Sequence, residues 1–193
     1  MATAGRPNAT HSFLMSATAL GCCVIAAMAQ SERYAATAAM TTGAGTTVRA
    51  AVAVTITTFA SESDRGALVA AVKAGGTNAA RAWLIKRPDA GTLQVGARKA
   101  TIKFAYKTPV AGGGSLITVG TSDPIALVGA GLPGAPQPAG EYLGLLLFDL
   151  PAEGQGRGEL APAAKVRVDA NGAIVTEDFN VADIVRLTEV VRK

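Results

Sequence analysis

Three carboxylates stand where strand ends or loops would present them: Asp123 before Pro124, Asp149 closing an apolar run, and Glu159 beside Arg157 in a glycine-rich stretch. Two carboxyls flanking one bond at the right separation perform glycoside hydrolysis, one as acid and the other as base or nucleophile. Each of the three also has an ordinary role: a turn at Asp123-Pro124, a strand end at Asp149, and an ion pair between Glu159 and Arg157. Lys99, Lys103 and Lys107 recur every fourth residue with Tyr106 beside the last. On one strand that even spacing sets all three lysines on one face, a basic stripe that with Tyr106 forms a tentative ligand surface. It could meet an anionic envelope component, while the ordinary reading is a solvated sheet face whose lysines discourage edge pairing. Trp83 reads as the core anchor of a helix rather than a stacking platform for a ligand.

No cofactor motif accompanies these residues. Gly112-Gly113-Gly114 and Gly129-Ala130-Gly131 do not precede a helix or a Gly-Lys-Ser step, which a phosphate-cradling loop requires. The single histidine, His11, and the two cysteines, Cys22 and Cys23, all fall in the first 29 residues. A chain beginning at Gln30 has neither residue type. It therefore lacks the side chains for Ser-His-Asp or Cys-His nucleophilic catalysis and the usual zinc, copper and haem ligands, and it forms no disulfide.

Residues 1–29 have the three parts of a signal peptide. A short polar start carrying Arg6 leads into the uncharged run Phe13 to Ala27, and Ala27-Met28-Ala29 then offers small residues for cleavage after Ala29. The apolar run is shorter than the roughly 20 residues that span a bilayer, so no transmembrane segment is expected after cleavage. The alternative is a lipoprotein anchored through Cys22, which follows Ala19-Leu20-Gly21. Both readings place the protein outside the cytoplasm, periplasmic or extracellular. Loss of Arg6 from the 18 Lys plus Arg leaves a small excess over the 14 Asp plus Glu, too little to indicate nucleic acid.

The elements that must position these side chains follow from periodicity. Residues 30–47, rich in Ala, Thr and Gly without a period that buries a face, read as a flexible tether. A single domain over 48–193 begins with the β-branched run from Val48 to Phe59. Ser61 with Asp64 three residues later is a helix start, Leu68, Val69 and Val72 recur at helical spacing, and Gly75-Gly76 stops it. A second helix follows from Thr77 through Trp83 and ends before Pro88. Strand and turn alternate thereafter: Leu93 to Ala97, Ile102 to Tyr106, Leu116 to Val119, Tyr142 to Leu150, and Val166 to Val175 around an Asn171-Gly172 hairpin, with a last strand from Ile184 to Val190. Gly129 to Gly140 reads as a long surface loop, and Glu153 to Glu159 as a turn. The expected fold is α+β, a mainly antiparallel sheet of seven or eight strands with one N-terminal αα hairpin packed on it.

Four groups of residues in this order resemble a family of uncharacterised exported bacterial proteins. They are Asp64-Arg65 with Leu68 and Ala71 to Gly76, Thr121-Ser122-Asp123-Pro124-Ile125, Gly156-Arg157-Gly158-Glu159-Leu160, and Val185 to Val190. The resemblance covers about 52 to 191; Phe59 and Ala60 depart from it, standing where a Trp-Ser pair is expected. It implies export and a shared fold, and no activity. The expected function is a noncatalytic binding or structural domain of the cell envelope or extracellular space, with another envelope protein or an anionic envelope component as partner. The alternative is a carboxylate-based hydrolase acting on an envelope or extracellular polymer.

Overall fold

The computed structural model describes residues 31–134, 140–177 and 184–193. The signal-peptide reading of residues 1–29, with His11, Cys22 and Cys23, lies outside them, as do residues 135–139 of the Gly/Pro segment.

Ten strands form one antiparallel system: β1 (Glu32–Thr41), β2 (Thr47–Ile56), β3 (Gly91–Val95), β4 (Arg98–Ile102), β5 (Phe104–Pro109), β6 (Ser115–Thr121), β7 (Leu143–Leu150), β8 (Gly156–Val168), β9 (Ile174–Glu177) and β10 (Val185–Arg192). One helix, α1 (Glu62–Ile85), lies between β2 and β3 in the chain. Strand order is β4-β3-β2-β1-β10-β8-β7-β6-β5, with β9 paired to β8 beyond this path. The two ends of that order, β4 and β5, are consecutive in sequence, so the sheet curls until it nearly closes into a barrel. At the seam the Lys103 amide donates to the Gly120 carbonyl at 3.0 Å.

The α+β antiparallel class is as expected; its finer description is corrected in several places. Residues 32–41, expected as part of a tether, are β1, paired along its whole length with β2 and on its other side with β10. The stretch from Glu153 to Glu159, expected as a turn, already belongs to β8 from Gly156 onward. Ile102 and Tyr106, expected on one strand, belong to β4 and β5, and the strand count rises to ten. The Gly/Pro segment is not wholly a surface loop, since Ala130 and Leu132 are buried with Ile125 and Leu127 in the barrel core.

The two expected helices run together as one helical element, α1, whose helical geometry is interrupted at Gly75 and Gly76. Its start is set by a reciprocal cap: the Asp64 amide donates to the Ser61 hydroxyl and the Ser61 amide to the Asp64 carboxylate, both at 3.1 Å. Gly76 adopts φ +59°, a left-handed value that a Cβ would oppose. Run straight, a helix of this length would extend roughly 36 Å. Asp64 and Arg87 nevertheless form an ion pair, so the chain folds back at the glycines and both arms lie on the sheet.

Two apolar layers result. Inside the curl, Tyr34, Val54, Ile56, Leu93, Ile117, Phe148, Leu160 and Leu187 pack as one core. Outside it, Leu68, Val72, Ala80 and Leu84 of α1 pack on Phe104, Leu143 and Val166. Strand alternation assigns each residue to its layer, Phe104 out, Ala105 in and Tyr106 out.

Candidate functional site

The basic stripe does not assemble, because β4 and β5 are separate strands. Lys99 lies on β4, exposed, opposite Gln94. Lys103 sits outside either ladder at the seam, where its ammonium donates to Asp89 at 2.6 Å and to the Arg87 carbonyl at 3.2 Å. That unpaired residue reverses the alternation: Ile102 belongs to the inner core and Phe104 to the outer layer, although they are two apart. Lys107 consequently turns to the inner side of the curl, away from Tyr106. It meets Glu32 at 3.1 Å, and its ammonium stands 5.7 Å from the centre of the Phe59 ring.

Glu32 is the hub of this cluster, accepting from the Tyr34 hydroxyl and lying 3.3 Å from Arg192. Burial alone would raise its carboxyl, but hydrogen bonds from Tyr34 and Lys107 and the charges of Lys107 and Arg192 hold it below the usual carboxylate range. Tyr34 moves the other way: burial, then its bond to Glu32 and the charge of that carboxylate, push the phenol far above its ordinary 10.0. The cluster is internally paired.

The three carboxylate candidates are only partly brought together. Asp123 binds Arg81 at 2.8 Å, which holds its carboxyl low, and lies apart from the other two. Asp149 opposes Arg157 in the β7/β8 ladder and Glu159 opposes Leu147, so Asp149 and Glu159 are diagonal neighbours on the outer face. Asp149 is engaged by Arg157 at 3.1 Å. Among the described residues no group of three or more His, Cys, Asp or Glu could hold a metal ion.

What the outer face does form is a cleft of about 500 Å³ between α1 and strands β5 to β9. Its size is that of a small-molecule site. Leu68, Val69 and Val72 from the first arm of α1 and Ala80 and Leu84 from the second make the roof. The floor consists of cross-strand rows fixed by register. Phe104, Gly120, Leu145 and Ala161 form the first row; Tyr106, Thr118, Leu147 and Glu159 form the second; Thr108 and Leu116 begin the third. The roof is hung from β8 by Thr77, whose buried hydroxyl accepts the Val166 amide at 2.8 Å.

Polarity rises from the first row to the third. Phe104 and Gly120 are buried, Leu145, Leu147, Leu116 and Thr118 are half-buried, and Thr108 and Glu159 are exposed. At the mouth, Glu62 accepts from both the Tyr106 hydroxyl and the Arg65 guanidinium, the latter at 2.6 Å, and these bonds hold its carboxyl low. Arg65 also lies 5.6 Å from the centre of the Tyr106 ring. Trp83 lies edge-on to Phe104, with ring centres 6.3 Å apart, and Arg87 covers its other surface at 4.8 Å. It anchors α1 beside the cleft.

Of the four residues of the tentative surface, only Tyr106 lines the cleft. Sequence reasoning missed its floor because Gly120, Leu145 and Leu147 read as ordinary strand residues. The available signal was that the run from Leu143 to Phe148 is apolar at both parities, which places apolar side chains on both faces of β7. Comparison of the chain with known protein families, with curated proteins and with solved structures finds no match.

Proposed function

We propose that the protein is an exported, noncatalytic binding domain that holds a small apolar ligand in the cleft beneath α1. The observation that carries this reading is that Leu116, Leu145 and Leu147, on the outer face of the sheet, remain half-buried in a cavity that α1 roofs over without filling. Apolar side chains left in such a cavity gain about 25 cal/mol per Å² when a ligand replaces water against them. Export rests on the signal-like residues 1–29 and on the resemblance to an exported family. Among the described residues no helix is long and apolar enough to cross a membrane.

A carboxylate hydrolase is the second reading, favoured by one observation, the diagonal placement of Asp149 and Glu159 on the face that floors the cleft. Binding has the stronger support, since Asp149 is already engaged by Arg157 and only Glu159 reaches the cavity.

Titration with the neutral apolar dye Nile red tests the binding reading. Saturable fluorescence enhancement at one site, with a change in emission from Trp83 as the sole tryptophan, is the expected result. Failure to saturate, or no binding, overturns it. Export is tested by fractionating a bacterial host and measuring the intact mass of the product, expected to begin at Gln30. A cytoplasmic chain that retains residues 1–29 contradicts it, and lipid on Cys22 makes the protein an anchored one.

A further inference from the structure

Resting on the cleft as a binding site, we propose that its ligand is a single-tailed amphiphile with an uncharged, hydroxyl-bearing head. The tail lies along the row Phe104, Gly120, Leu145 and Ala161 under α1, and the head reaches Tyr106, Thr118 and Thr108 at the mouth.

The direction follows from the floor. The first row contains no polar side chain and is the most deeply covered, the second combines Tyr106, Thr118 and Glu159 with Leu147, and the third opens to solvent at Thr108. A wholly apolar ligand would leave the half-buried Thr118 hydroxyl without a partner, at a cost that hydrogen-bonding heads avoid. Among the described residues, neither the Thr108 nor the Thr118 hydroxyl is engaged in a side-chain hydrogen bond, unlike those of Thr77 and Thr121.

The class of head follows from charge. Among the described residues, each acidic group at the mouth has an opposite charge bonded to it or beside it across the ladder. Glu62 takes Arg65 and Tyr106, Asp149 takes Arg157, and Glu159 stands opposite Leu147 on one side and opposite Arg186 in the β8/β10 ladder on the other. An anionic head would have to draw Arg65 from Glu62, and a cationic head at Glu159 would stand beside the like charge of Arg186, its cross-strand neighbour. The first leaves Glu62 without its ionic partner and the second sets two cations side by side, whereas a glycerol-like head uses the threonine hydroxyls and does neither.

The test compares three twelve-carbon amphiphiles as competitors of bound Nile red, each below the concentration at which it self-associates: monolauroylglycerol, laurate and dodecyltrimethylammonium. Monolauroylglycerol is expected to displace the dye at roughly tenfold lower concentration than either ion, because the anion must break the Arg65–Glu62 pair and the cation must stand beside Arg186. Thr118→Val is expected to weaken monolauroylglycerol about fivefold more than it alters Nile red, which the same titrations read directly. Equal competition by all three, or preference for one of the ions, overturns the inference and leaves the cleft reading standing. Nile red binding that none of the three displaces overturns it also. Absence of Nile red binding instead overturns the cleft reading itself.

Discussion

Asp64, in the first turn of α1, and Arg87, just beyond its C-cap Lys86, form an ion pair that joins the two ends of one helical element. This pairing makes α1 a roof rather than a rod. Both ends stand over the β5 side of the sheet, where Glu62 takes the Tyr106 hydroxyl and Trp83 meets Phe104, while the turn at Gly76 reaches β8 through Thr77. Removing Arg87 frees the end of the second arm. Arg87→Ala is expected to raise amide exchange between Ala80 and Ile85 with little change in the barrel strands, and hydrogen exchange followed by mass spectrometry reads the difference.

Thr77→Val keeps the shape of the side chain and removes the hydroxyl, leaving the Val166 amide buried without its acceptor. The expected loss is about 1–3 kcal/mol of unfolding free energy, measured in urea. Thr77→Ser, which retains the acceptor, should recover most of it.

Gly158 faces the core beside Phe148. A Cβ built there falls 2.4 Å from the Leu147 carbonyl oxygen and 2.8 Å from Phe148 Cδ1, so either the strand or the ring must shift. Gly158→Ala is expected to cost about 1–3 kcal/mol, seen as a lower midpoint in denaturant with the slope unchanged.

The Glu32 cluster sets both limits of a pH window. Glu32 has a depressed folded value, so its contribution is present above its ordinary 4.5 and is lost as pH falls through the lower folded value. Tyr34 has a raised folded value, so its contribution is present below 10.0 and is lost as pH rises through the higher folded value. Unfolding free energy should therefore be flat across neutrality with respect to this pair and decline at both extremes. Glu32→Gln should remove part of the acid limb, and phenolate absorbance should show Tyr34 and Tyr106 resisting ionisation above pH 10.0, both phenols being raised.

Much of the architecture was legible because local chemistry agreed with the fold. The Ser61–Asp64 cap, the Asn171-Gly172 hairpin and the apolar run of β7 each stand where their residues indicate. β1 was not. Its core-facing residues are Tyr34, Ala36 and Ala38, and alanine has a weak strand preference and a small apolar contrast with Thr. The strand exists because β2 and β10 flank it, a long-range fact that no window of sequence contains. The seam at Lys103 was illegible for a similar reason: one unpaired residue reverses the inward and outward faces, and the lysines expected on one stripe separate. The cleft depends on how α1 lies across rows drawn from four strands, so only Tyr106 and Glu159 among its residues stood out beforehand.

Gly120 gives the most direct test of ligand binding beneath α1. It lies on the first row of the floor, and a Cβ there meets only Phe104 Cβ at 3.7 Å and Leu145 Cδ2 at 4.0 Å, ordinary contacts that leave room for a side chain extending into the cavity. Gly120→Leu should fill the tail site with aliphatic atoms. The measurement is Nile red affinity of Gly120→Leu against the original protein, with denaturant stability recorded for both. The account predicts that binding falls at least tenfold while stability is kept or increased, as expected of an apolar cavity filled without strain. Unchanged dye affinity in a folded Gly120→Leu protein would contradict it, because the apolar ligand would then bind somewhere other than the cleft.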